Sequence, residues 1–360
     1  MGTTQISNAS HLKMVAATYI AFAVVSALIF SASVSLNSLV CLVFYKNKQF
    51  RNPRNIFVIS VAASDLLCSV TTLPLYFFAN VYGRWVYGDI GCKTTAFIAC
   101  LSGLTSLMQL AAASYERYVA LVYPLTRRKT FTVRHASRIS SVMWLYALFW
   151  SVMPLCGWSG FELEGVGASC SVRWKSHDKL DLSYNVCLIL ACFVFPVSVM
   201  SFSYFKCCKE IMSGAKNARD IWGKSSSFTR KAFETERRIL LLFGVMTVAY
   251  LGAWTPYAVV SLISMIAGPD IISDVTASIP AYLAKSSACY NPIIYVFLYK
   301  KFRREIYCIV RRKSKSTNRL SNGRRMSSRS SCKRQDHRSG EDNKPIKVPV
   351  SPGRAETSPC

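Results

Sequence analysis

Seven stretches of this chain, at about 15–45, 54–80, 90–122, 136–157, 182–208, 235–267 and 274–299, stay apolar for roughly the length that crosses a bilayer. A helix advances about 1.5 Å per residue, so about 20 apolar residues cover a hydrocarbon core about 30 Å thick. Lipid offers no hydrogen bonds, so each segment must satisfy its own backbone, and runs of this length are expected to be helices. The first run is too long for a cleavable leader, and no small-residue cleavage site follows a basic start. The expected fold is an all-α membrane protein, a seven-transmembrane helix bundle over 15–299. Residues 1–14 precede it, a short amphipathic eighth helix at 300–311 follows, and a basic tail without apolar patterning, read as disordered, ends the chain at 312–360.

The net charge of +26 would suggest nucleic acid if it were spread over one face, but it is segregated. Lys46, Lys48, Arg51 and Arg54 follow the first run; Arg127, Arg128, Lys129, Arg134 and Arg138 follow the third; the loop after the fifth and the tail are also basic. The alternate loops are poorer in both and hold acids, among them Asp89, Glu162, Glu164, Asp178, Asp270 and Asp274. Lysine and arginine favour the cytoplasmic side, which puts the N-terminus outside and the tail inside, as in a multi-pass protein of the plasma membrane. Asn8-Ala9-Ser10 is then a glycosylation sequon on the outer side. The expected contacts are with lipid and not with nucleic acid.

Most of the 14 cysteines lie inside apolar runs, where a reduced thiol is a small hydrophobe. Cys92 and Cys170 alone fall in clearly outer positions, and an oxidising exterior predicts a disulfide between them. Cys308 follows a basic amphipathic stretch and is a palmitoylation candidate, or equally a plain interfacial thiol. The four histidines are scattered, without cysteines at ligand spacing, so no metal site is expected.

Lys285 is the outlier, a lone cation in the seventh run. The basic cluster beginning at Lys300 lies about 22 Å away along a helix and Asp274 about 16 Å the other way. Neither membrane face is then easy to reach, and an ammonium at that depth costs at least about 2.5–3.5 kcal/mol. A lysine facing a water-filled cavity or paired with a carboxylate is the plain explanation. Burial also favours the uncharged amine, the form that condenses with an aldehyde to a Schiff base. Other polar residues fall in apolar runs too: Asn37, Asp65 and Asn291, expected to meet one another. Glu116-Arg117-Tyr118 ends the third run and Glu236 begins the sixth at the same depth, so Arg117 can tie the two together. Pro196, Pro256 and Pro292 each remove a backbone hydrogen bond, which makes the last helices candidates for a bistable element.

This ordered set resembles the class A G-protein-coupled receptors over residues 15–311: Asn37, Asp65, Cys92, Glu116-Arg117-Tyr118, Trp144, Cys170, Pro196, Tyr204, Trp254-x-Pro256 and Asn291-Pro292-x-x-Tyr295. Within that class Lys285, seven residues before Pro292, resembles the retinal-binding lysine of animal opsins, and Gly157-Trp158-Ser159 is similar to opsin sequence. The resemblance implies a rhodopsin-like receptor, not an enzyme, with retinal as cofactor in a pocket lined by Gly103, Phe193, Trp254 and Tyr257. It also implies a heterotrimeric G protein at the cytoplasmic face, and an arrestin and a receptor kinase on the tail, where Ser327-Ser328-Arg329-Ser330-Ser331 is phosphorylatable.

One position departs from the vertebrate visual pattern. Their glutamate counterion, three residues after the span-three cysteine, is Thr95 here. A protonated Schiff base still needs an anion, and Asp65, Glu116 and Glu236 lie too far toward the cytoplasm. Glu164 matches the loop glutamate of bistable opsins and is the expected counterion, with Glu162 or a bound chloride as runner-up. A peropsin-like retinal photoisomerase, an ion pump and a receptor for a diffusible ligand are the alternatives. Intact Glu116-Arg117-Tyr118 speaks against the first, and the absence of a span-three carboxylate before Glu116 against the second. The last would make Lys285 coincidental.

Overall fold

The computed structural model describes residues 2–50, 52–123, 131–222, 227–268, 271–298 and 302–308, without the side chains of 2–14, 48, 215–222, 227–233 and 235–236. Asn8's side chain, Glu236's side chain and the tail serines therefore lie outside the described residues. Among the described residues, six helical segments are long and apolar enough to cross a membrane: Val15–Lys46, Pro53–Val81, Gly88–Val122, Val133–Cys156, Lys179–Gly214 and Arg237–Ala267. The seventh is assembled from pieces, Asp274–Ser286, a 3-10 turn at Ser287–Cys289, and Tyr290–Leu298. Residues 302–308 form a further helix beyond it, within the segment expected to be amphipathic.

The first helix begins at Gly2 rather than near residue 15. No proline or internal glycine interrupts Thr3–Lys46, so nothing local stops the helix where hydrophobicity fades.

The third span is the centre of the bundle, packed against the second, fourth, fifth and sixth. One apolar cluster, with Phe57, Leu110, Phe243, Met246 and Tyr295, fills the bundle between the middle and the cytoplasmic end. A smaller one, with Trp150, Phe161 and Tyr184, lies at the outer end around Cys92 and Cys170.

The prolines act as chemistry requires. Pro292 has no N–H for the carbonyl of Ala288, four residues earlier. That carbonyl instead accepts from Asn37 Nδ2 at 2.9 Å and from Ser33 Oγ at 3.4 Å, which binds the first span to the break in the seventh. Ahead of Pro196 the fifth helix widens into a π-helical turn at Leu190–Val194. Pro256 lies within a continuous helix, Ser227–Ala267.

Over the outer end lies an antiparallel hairpin, β1 (Phe161–Glu164) and β2 (Ser169–Val172), in which Phe161 faces Val172 and Glu164 faces Ser169. The Cys92–Cys170 disulfide, with 5.4 Å between Cα atoms, fastens β2 to the start of the third span. The turn fits only glycine at two points, Gly165 (φ +57) and Gly167 (φ +77). A Cβ on Gly165 would also collide with Ser278 of the seventh span. Val166 N–H donates to Ser278 Oγ at 3.0 Å, and its carbonyl accepts from Tyr19 at 2.7 Å. The hairpin is thus tied down at three places as a lid over the bundle.

Candidate functional site

Beneath that lid a mostly apolar cavity runs from Glu164 down to Asp65. Lys285 projects into it because its helical neighbours at three and four residues, Ala281 and Ala288, are small and line the same cavity.

The ammonium meets the hairpin. Lys285 Nζ lies 3.5 Å from Glu164 Oε2, with only 13% and 9% of the two side chains exposed. Ser169 Oγ donates to the same carboxylate oxygen at 3.3 Å. Glu162 lies two residues earlier on the same strand face, yet the charges acting on it are Arg173, Asp181 and Lys175. Burial pushes the Glu162 carboxyl up, with Arg173 opposing. Of the two acids expected near Lys285, Glu164 is the one beside it.

Trp254, Tyr257 and Gly103 line the cavity as expected. Trp254 Nε1 donates to Ser287 Oγ at 3.0 Å, while its ring stacks on Tyr250 with centroids 5.6 Å apart. Tyr250 in turn donates to the Gly103 carbonyl at 2.7 Å, so the third, sixth and seventh spans meet at one indole. Any Cβ on Gly103 would lie 2.7 Å from that ring. Gly103→Leu should therefore drive Trp254 out of place and cost about 1–3 kcal/mol by overpacking. The check is a lower thermal unfolding midpoint with altered tryptophan fluorescence; an unchanged pair would mean the ring has room.

Phe193 does not line the cavity. It packs toward the cytoplasmic-side cluster, and Leu188 supplies the fifth span's wall instead. The π-helical turn adds residues to one turn, which rotates Phe193 from where a regular helix would point it. Tyr76, Tyr282 and Trp174 were not picked out by the sequence reading. Trp174 donates to Tyr257 at 2.9 Å at the cavity's outer end. An aromatic residue in an apolar run looks like core, and nothing in its spacing marks a cavity neighbour.

The buried polar residues form a chain rather than a single cluster. Ser106 Oγ donates to Asp65 Oδ1 at 2.9 Å, and Asn291 Nδ2 to Asp65 Oδ2 at 3.4 Å. Asn37 is reached indirectly: Ser69 Oγ lies 2.7 Å from the Asp65 carbonyl and 2.6 Å from Ser33 Oγ, the oxygen to which Asn37 donates. At the cytoplasmic end Arg117 pairs with Glu116, both buried. Tyr118 lies edge-on to Tyr123 and Phe202. Tyr295 is buried against Phe302, and Cys308 is half-buried on the helix of residues 302–308. The described residues contain no group of acids, histidines and cysteines fit to hold a metal.

Residues 36–295 match the family model described as 7 transmembrane receptor (rhodopsin family). The chain belongs to that family. Its relatives mark it as an animal opsin: it is 35% identical over 278 residues to a Melanopsin-A of Gadus morhua, covering 75% of this chain and 49% of that protein. It is also 35% identical to "Rhodopsin, G0-coupled" of Mizuhopecten yessoensis, covering 74% and 66%. The crystal structure of squid rhodopsin superimposes with a TM-score of 0.77 at 26% identity, over 92% of this chain and 93% of that one. The chain spans about half the length of the melanopsins it matches.

Proposed function

We propose that this opsin is a light-sensing G-protein-coupled receptor that carries retinal on Lys285 as a protonated Schiff base, with Glu164 as counterion. The observation that supports this most is the buried pair of Lys285 and Glu164 at the end of a mostly apolar cavity. A cavity with one amine, a carboxylate beside it, a second carboxylate at its far end and otherwise largely apolar and aromatic walls suits a long apolar aldehyde. Retinal, when bound, supplies a change of shape driven by light.

The chain's own residues supply the rest. Lys285 provides the attachment nitrogen and Glu164 balances its charge. The disulfide-fastened hairpin keeps bulk water from both, which strengthens their interaction. Trp254 holds the sixth span to the seventh through Ser287, so a displaced indole biases how those spans pack. Two ligand shapes shift such an equilibrium only as far as they fit its states differently. The response is an opening at the Arg117 end, where a heterotrimeric G protein binds. With the N-terminus outside, the basic loops and tail face the cytoplasm, where arrestin and a receptor kinase would meet the tail.

Light-dependent nucleotide exchange on added G protein by the retinal-reconstituted chain tests the reading. Exchange that rises on illumination supports it. A pigment that isomerises retinal without exchange would make the chain a photoisomerase.

A further inference from the structure

The ammonium of Lys285 has fewer polar contacts than a buried charge calls for. Glu164 at 3.5 Å is farther than the roughly 2.7–2.9 Å of a strong charge-assisted bond. What flanks the nitrogen more fully is aromatic. The Tyr76 ring centroid lies 5.2 Å from Nζ and that of Tyr282 lies 5.5 Å away. Both are inside the about 6 Å over which a ring face attracts a cation.

Each ring is held there for a reason unrelated to a bound molecule. Tyr282 precedes Lys285 by one helical turn, stacks on Phe22 with centroids 4.4 Å apart, and accepts from Asn80 Nδ2 at 2.6 Å. Tyr76 comes from the second span and is wholly buried. Its hydroxyl makes no hydrogen bond among the described residues. The polar group nearest that hydroxyl is Thr95, whose own hydroxyl is directed at the Gly91 and Cys92 carbonyls. A buried phenol with no partner is costly. Apolar packing with Ile29, Leu73, Cys289 and Trp85 holds the Tyr76 ring, and that packing leaves the ring beside the cation.

We propose that Tyr76 and Tyr282 form a two-ring clamp that shares with Glu164 the stabilisation of positive charge at Lys285. The inference rests on the reading of Lys285 as the retinal attachment site. Condensation with an aldehyde leaves the nitrogen one N–H where the ammonium has three, so ring faces, which need no N–H, matter more in the pigment than in the free amine. Both tyrosines act as positioning residues that set how firmly the nitrogen keeps its proton. The titratable groups around it are Glu164 from the hairpin, Asp65, Cys68 and Tyr76 from the second span, Cys100 from the third, Tyr250 and Tyr257 from the sixth, and Tyr282 on its own helix. Among the described residues, the rings that face Nζ within about 6 Å are those of Tyr76 and Tyr282.

The test compares two side chains of nearly one shape and opposite ring electrostatics. The full chain carrying Tyr76→Phe or Tyr76→pentafluorophenylalanine is reconstituted with retinal, and the alkaline pH that halves the visible band is recorded. The fluorinated pigment should lose its proton at least about one pH unit lower, a tenfold weaker hold. Equal midpoints overturn the clamp, since packing alone distinguishes the two poorly. If the fluorinated variant at position 76 does not fold, Tyr282→Phe against Tyr282→pentafluorophenylalanine carries the same test, and equal midpoints there overturn it too. An unsubstituted chain to which borohydride fixes no retinal removes the attachment reading instead, whatever the rings do.

Discussion

Lys285→Ala should give a protein that binds no retinal covalently, shows no visible absorption band and leaves G protein unresponsive to light. Lys285 is the one lysine on the wall of the cavity under the hairpin, so no other described amine can substitute for it there. Borohydride treatment of the reconstituted protein should fix retinal to the unsubstituted chain and not to the variant. The substitution also strands Glu164, which is 9% exposed, without its cation. Breaking one side of a buried pair costs about 3–5 kcal/mol, so the variant should melt earlier. Lys285→Ala with Glu164→Gln removes that cost and should recover much of the stability while remaining colourless. That separates loss of colour from loss of fold. A coloured, light-responsive Lys285→Ala would end the opsin chemistry proposed for this cavity.

Much of the bundle was legible because lipid narrows the choices. Long apolar runs have to be helices, and alternating basic loops orient them, so the spans can be drawn from composition and order. The disulfide was legible because Cys92 and Cys170 were the clearly outer cysteines, and its geometry matches. Lys285 was legible because a charge in hydrocarbon demands an explanation. What was not legible depends on helix rotation. Phe193 was misplaced by a π-helical turn whose only sequence mark is Pro196 behind it. Tyr76 and Tyr282 read as core, since which face of a span meets a cavity follows from packing between spans distant in sequence. The first apolar span, Val15–Lys46, was legible from hydrophobicity, while the helix extends beyond it to Gly2 because no proline or internal glycine interrupts the backbone there.

The hairpin shows how a loop reaches the middle of a membrane protein. Two glycines make the tight turn, the disulfide holds one strand, and Ser278 and Tyr19 hold the tip. Strand alternation then directs Glu164, opposite Ser169, down toward the lysine. A carboxylate borrowed from the hairpin thus lies beside Lys285, whereas the hydroxyl of Thr95 is directed at carbonyls of its own helix.

Glu164→Gln should consequently move the pigment's absorption from the visible to the ultraviolet at neutral pH. Two unit charges 3.5 Å apart attract by about 5 kcal/mol at an effective dielectric of about 20. Removing the carboxylate's charge should lower the imine nitrogen's affinity for its proton by roughly three pH units, at about 1.36 kcal/mol per unit. The sign is fixed: the cation loses its partner, so the proton leaves at lower pH and the unprotonated imine absorbs at shorter wavelength. Acid should restore the visible band, because the amide cannot prevent protonation once protons are abundant. Glu162→Gln, whose charged neighbours are Arg173, Asp181 and Lys175, should leave the spectrum nearly unchanged. Added chloride separates the remaining possibility: if chloride alone restores the visible band of Glu164→Gln at neutral pH, an anion can serve in the carboxylate's place. A spectrum that ignores Glu164→Gln and follows Glu162→Gln would assign the counterion to the other acid of the same strand.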